Sequence, residues 1–311
     1  MTSISGSISY AYIKLNENIE LYIYFDDHGN TNYCKNKSAV FLDTHIKKIT
    51  KNKFANIYLE EPLNMKNVRS IWKNKHVNRM SSLYKTLVDK DIKIINFDIR
   101  TELSMFDIKH KNSLYEQIKK NKSHNLLYNI NYLLEPFMKD SYKFGIELKQ
   151  NKTLRQLKKT VNRLLNKHKK NEFLVKHFKY IMFRFKNLYN FLYEKDITIK
   201  KFVKVYDYAS SDHIGYPYKM PELNDKNVLD YYEFLLDSIM EFYFMLLLID
   251  SGKRMNILYT GAYHSSNILY ILKKYYGSKV VKSLIKNMSV FMSNSSFETV
   301  TSNFKNNCIK I

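Results

Sequence analysis

An α/β fold is what this chain predicts: a mainly parallel central sheet flanked by helices, with an N-terminal β-hairpin and a large helical insertion. Three observations lead there. Four short apolar runs without strict alternation, 38–45, 54–63, 92–100 and 255–264, read as strands covered on both faces. Helical patterns separate them, and strands that alternate with helices pair in parallel. Between the third and fourth runs lies a long stretch of helical periodicity with its own charge balance.

In chain order, residues 7–13 ("SISYAYI") and 19–25 ("IELYIYF") alternate around "KLNEN", a hairpin pattern that can extend the sheet, and "DDHGN" (26–30) reads as a turn. "SAVFLDTH" is the first core strand, "FANIYLEEPL" the second, "IKIINFDIR" the third and "MNILYTGAYH" the fourth. Residues 64–90, with Val68, Ile71, Trp72, Leu83, Leu87 and Val88, carry a helical pattern. So do residues 266–276, closed by Gly277 as a C-terminal stop.

In the intervening region, Leu154, Leu157, Val161, Leu164 and Leu165 keep a 3/4 spacing with Lys and Arg between them, an amphipathic basic helix. Residues 173–193 form an aromatic helical run whose Tyr and Phe read as core. A loop covers 208–225, and 226–250 forms an apolar helix. The layout is therefore an α/β core of 1–110 and 226–311 around a basic helical insertion, 111–225. A separate helical domain is the other way to read that insertion.

The bulk numbers bound the function. The chain has 311 residues, 45% hydrophobic, enough for a sizeable core. Its formal net charge is +22, and residues 149–204 hold 17 Lys and Arg against 3 Asp and Glu. That segment is either a solvated helical face or a surface for nucleic acid or an acidic partner. Two cysteines, Cys34 and Cys308, with no CxxC or Cys/His ligand spacing, fit a reducing compartment and argue against a zinc finger or disulfide scaffold. The polar, alternating N-terminus is not a signal peptide. The most apolar stretch, 238–250, holds only eight uncharged residues in a row between Glu241 and Asp250, well short of the ~20 of a membrane span. A cytoplasmic location follows.

Each core run ends abruptly in polar groups: Asp43 and His45; Glu60 and Glu61; Asp98 and Arg100; Gly261 and His264. In parallel sheets ligands bind beyond the carboxyl ends of the strands. Gly261 lets the backbone approach a ligand, and the GxxH spacing puts His264 at the head of the next helix, where it can ligate a metal, bind an anion or move a proton.

"YTGAYHSSNIL" resembles the C-terminal GxxH motif of the EreA/ChaN/TraB superfamily, which includes erythromycin esterase-like, haem-binding and TIKI-type proteins. The order "FLDTH", "YLEEPL", "YTGAYH" is similar to the family's succession of a GxxH-type His, a strand ending in Glu and a late GxxH. The apolar helix before the last strand also looks like uncharacterised relatives in large cytoplasmic DNA viruses. The resemblance covers about 38–110 and 226–290. One position departs from it: Leu42 stands where the first GxxH needs Gly. The resemblance implies a hydrolase-like protein, working in the host cytoplasm or packaged in the virion if viral.

Its site would gather His45, Glu60, Glu61, His264 and Arg100 as catalytic residues, with Gly261, Asp43 and Asp98 binding substrate. His45, Glu60 and His264 can hold a divalent metal through imidazole and carboxylate, and a metal-bound water is a nucleophile near neutral pH. Without metal, either His is a general base oriented by Glu60 or Glu61, of which only one faces a given side of the sheet. Arg100 can hold developing negative charge. Each residue has a structural reading too. Glu60 or Glu61 can cap a helix, Asp98 and Arg100 can form an ion pair, and Asp237 and Glu241 can be satisfied polar groups on a buried helix. His213 lies in a loop long enough for a lid. The competing function is a catalytically inactive viral accessory or virion protein that binds nucleic acid or an acidic partner through 149–204.

Overall fold

A tyrosine-lined hairpin starts the sheet. Strands β2 (Ser9–Lys14) and β3 (Glu20–Asp26) are antiparallel, with Tyr10 opposite Tyr24 and Tyr12 opposite Tyr22. The rings of Tyr12 and Tyr22 stack with centroids 4.5 Å apart, a cross-strand pair of the kind that stabilises a sheet. The Asn16 side chain closes the turn by accepting from the backbone N–H groups of Asn18 and Ile19 at 2.8 and 2.9 Å. Asn does this well because its short amide mimics a backbone turn.

The computed structural model describes residues 3–7, 9–26, 36, 38–63, 91–104, 123–135, 152–194, 217–219, 222–224, 228–252, 255–283 and 309–310. Among them are β1 (Ser3–Ser5), β4 (Val40–Phe41), β5 (Ala55–Pro62), β6 (Ile92–Asp98), β7 (Met255–Gly261), β8 (Lys279–Ser283) and β9 (Ile309–Lys310). The helices are α1 (Leu42–Thr50), α2 (Arg100–Ser104), α3 (Ser123–Leu134), α4 (Lys152–Lys167), α5 (Glu172–Glu194), α6 (Val228–Ile249) and α7 (Ala262–Lys274).

The main sheet has the order β6-β5-β7-β3-β2-β8 and a smaller one the order β4-β1-β9. Strands β5, β7 and β3 run parallel, while β2 is antiparallel to both β3 and β8. The expected α/β class with a mainly parallel centre is thus present. The hairpin does more than extend an edge, because β3 lies at the heart of the sheet, beside β7.

One expected core strand is not in the main sheet. Of 38–45, only Val40 and Phe41 are extended, paired with β1, and α1 starts at Leu42. The reason is periodicity. Leu42, His45, Ile46, Ile49 and Thr50 recur every three or four residues, and a helix gathers them on one side, Ile49 half-buried and the others buried, where a strand would split them.

The sheet's two faces are separated by strand alternation. Tyr24 pairs with Tyr259 and Leu59 pairs with Tyr259, so these three point one way. They join Ile57, Ile257, Tyr10, Leu42 and Ile46 of α1, Ile4 and Ile309 in one buried cluster. Thr260 and Glu60, one residue further along, point the other way. On that opposite face, nearer the start of the strands, Asn256 accepts from Asn56 Nδ2 at 3.3 Å and from the Tyr58 hydroxyl at 3.2 Å, and donates to the Glu20 carbonyl at 3.1 Å. This buried network fixes β5, β7 and β3 in register, since a slip would strand its polar groups.

Helix α7 ends as expected near Gly277, whose φ of 76° is the left-handed conformation that glycine adopts without strain. Helix α4 buries Leu154, Leu157, Val161, Leu164 and Leu165 and exposes Lys152, Arg155, Lys159, Arg163 and Lys167. Helix α6 is apolar nearly all round and buried accordingly, Glu241 included. Among the described residues no helix is long and apolar enough to cross a membrane.

The chain forms two units. Among the described residues, one runs up to Phe97 and resumes at Leu248, and the other runs from Asp98 to Leu247. The second is thus larger than the expected insertion 111–225, taking in α2 and nearly all of α6. The helix expected over 64–90, the loop residue His213, Cys34 and Cys308 lie outside the described residues.

Candidate functional site

Parallel strands β5 and β7 end side by side, and their last residues make a buried polar group. Glu60 Oε2 accepts from the Thr260 hydroxyl and, at 2.8 Å, from the Gly261 backbone N–H. Its other oxygen, Oε1, lies 3.4 Å from His264 Nε2. Both side chains are buried. Gly261 is the N-cap of α7 and His264 lies in that helix's first turn. No side chain from α7 caps its own N-terminus. A carboxylate from the neighbouring strand does so instead, favoured there by the positive end of the helix dipole. Ser265 adds a hydrogen bond from its hydroxyl to the Thr260 carbonyl at 3.1 Å, fastening the turn between β7 and α7.

Gly261 acts through its N–H, which Glu60 takes. Its φ of −50° is one that any residue adopts, so no left-handed turn calls for a glycine here.

His45 is elsewhere. Its Nε2 lies 3.0 Å from the Tyr24 hydroxyl, on the face that carries Tyr259 and Leu59. Glu60 and His264 meet on the other face. The expected set His45, Glu60 and His264 is therefore divided by the sheet, and α1, not a strand end, carries His45. Burial pushes the His45 imidazole below its usual pKa, with Lys48 adding to the shift. Among the described residues no group of three or more His, Cys, Asp or Glu is placed to hold a metal ion. Glu60 and His264 would supply two ligands, and His45 cannot be the third.

Glu61 is buried and, by alternation, points away from Glu60. Asp43 sits in the first turn of α1, where its Oδ1 accepts from the Thr44 backbone N–H at 2.7 Å.

Asp98 and Arg100 belong to the helical unit. Arg100 donates through Nε and Nη2 to the two oxygens of Asp98, each at 3.0 Å, and through Nη1 to Asp237 at 2.9 Å. Two carboxylates fill the guanidinium fork, so the ion pair expected of Asp98 and Arg100 is present and takes in Asp237 as well. Asp237 is satisfied as the apolar helix required.

Two polar side chains at the strand ends were not singled out by the sequence. Thr260 steadies Glu60. Asp26, the last residue of β3, pairs in register with Gly261, and its Oδ1 accepts from the Tyr259 hydroxyl at 2.7 Å. The signal was present: "IELYIYFD" ends in an acid like the other runs, but its alternation marks it as one arm of a hairpin.

No family model matches the chain, and none of the curated proteins or solved structures compared with it is similar to it.

Proposed function

We propose that the chain is a divergent EreA/ChaN/TraB-like hydrolase whose proton carrier is His264 and whose positioning residue is Glu60. The observation that carries this reading is the dyad itself: a buried carboxylate, pinned by Thr260 and Gly261, with its second oxygen 3.4 Å from an imidazole at the head of a helix. A carboxylate held by two donors cannot swing away, so it keeps the imidazole's Nε2–H directed at itself. The basic lone pair of the neutral ring is then on Nδ1. Such a base removes a proton from water as it attacks an ester or amide carbonyl, then returns that proton to the leaving group. The positive end of α7 favours the negative charge that develops. The place of the dyad at the carboxyl ends of parallel strands, and the order of "YLEEPL" and "YTGAYH", support the reading. The metal-free version is preferred because the third expected ligand, His45, is on the other face.

The test is hydrolysis of a panel of p-nitrophenyl esters and unstructured peptides. His264→Gln should lower kcat/KM by at least about a hundredfold, the scale of a lost general base. Glu60→Gln should lower it less and shift the pH profile. A wild-type protein that cleaves nothing in the panel, or a His264→Gln variant as active as wild type, overturns the proposal.

A further inference from the structure

We propose that α5 of the helical unit binds single-stranded nucleic acid, its exposed lysines meeting phosphates and Phe183 stacking on a base. Lys176, Lys179, Phe183 and Lys186 are all exposed and recur every three or four residues, so they form one row along the helix. Phe183 is 54% exposed, and it is the one such large apolar side chain among the described residues of this unit. Its ring carries the Arg184 guanidinium 5.4 Å from its centroid, so the cation stays beside the aromatic. Phe173, Phe178 and Phe185 of the same helix are buried, and Tyr180, Tyr189 and Phe191 are half-buried. An aromatic left in water between lysines is the pattern that single strands use, with charge tracking the backbone and a ring for a base.

The row spans about 15 Å at the helical rise of 1.5 Å per residue, room for about four nucleotides at a 3.4 Å spacing. The exposed Lys and Arg stripe of α4, in a segment with no acid between residues 150 and 171, adds sequence-independent attraction. A membrane surface is the weaker fit. An interfacial helix needs a broad exposed apolar face, whereas α4 buries all five of its leucine and valine positions and Phe183 is the one fully exposed ring among the described residues of α5. The inference is independent of the His264 reading.

The experiment uses the full chain and a fluorescein-labelled 20-nucleotide thymidine strand, followed by anisotropy across a salt series. The wild type should bind this strand more tightly than the corresponding duplex. Phe183→Ala should weaken single-strand binding about tenfold without changing the salt slope, and Phe183→Trp should restore it. Changing Lys176, Lys179 and Lys186 together to Gln should reduce the salt slope by about 2, at about 0.7 per phosphate contact on a single strand. Phe183 is exposed, so these variants should keep the wild-type circular dichroism spectrum. Unchanged affinity in Phe183→Ala, a preference for duplex, or tighter binding to phosphatidylserine vesicles or polyglutamate would each overturn the proposal.

Discussion

His177 shows how a single buried group ties the protein's stability to pH. Its ring stacks against Phe173 and Phe242, with centroids 5.7 and 5.6 Å away, and its Nδ1 lies 2.9 Å from the Tyr218 hydroxyl. Nε2 has no hydrogen-bond partner. Burial pushes its pKa down from 6.5 to about 3, because a charged imidazole cannot be solvated there. A lowered folded-state pKa favours the neutral ring in the native state. Its contribution is present in full above pH 6.5 and is lost as pH falls from 6.5 towards 3. The loss is on the order of 5 kcal/mol at the acid end, at 1.36 kcal/mol per unit. The urea midpoint should therefore fall steeply over that range. His177→Phe, which keeps the stacking, should flatten the slope; an unchanged acid limb would mean that His177 is not its source. His45 adds a shift of the same sign.

At the scale of elements, the Arg100 fork makes the ion pair that was one of two roles the sequence left open. Arg100 starts α2, Asp98 lies two residues before it and Asp237 lies on α6, so within the helical unit one guanidinium ties the start of α2 to α6. Removing it would leave two mostly buried carboxylates facing one another. Arg100→Ala should cost about 2–4 kcal/mol in a urea titration followed by far-ultraviolet circular dichroism. Arg100→Lys should recover only part, since an ammonium cannot make the two parallel bonds to Asp98. If Arg100 were instead an anion-binding residue, Arg100→Ala would leave the midpoint where it is. The same scale explains the misread run 38–45. Its apolar residues satisfy both a short buried strand and one turn of an amphipathic helix, and periodicity over so few residues does not separate the two. Only the continuation through Ile46 and Ile49 shows the helix.

Over the whole molecule, a net charge of +22 repels itself in the folded state more than in the expanded chain. Raising sodium chloride from about 0.01 to about 0.1 M shortens the screening length from about 30 to about 10 Å. Tm should rise over that range in a thermal scan, and a falling Tm would show that attractive pairs outweigh the repulsion. The α/β class, the basic helix α4 and the strand-end positions of Glu60 and Gly261 were legible in the residues alone. Hydrophobic periodicity, breaker residues and charge runs are local, and local patterns survive in one dimension. Tertiary pairing decided the rest. It put β3 beside β7, so that Asp26 meets Gly261, and it put His45 and His264 on opposite faces. Which face a side chain takes depends on the register between strands some two hundred residues apart, and no short window of sequence contains that register.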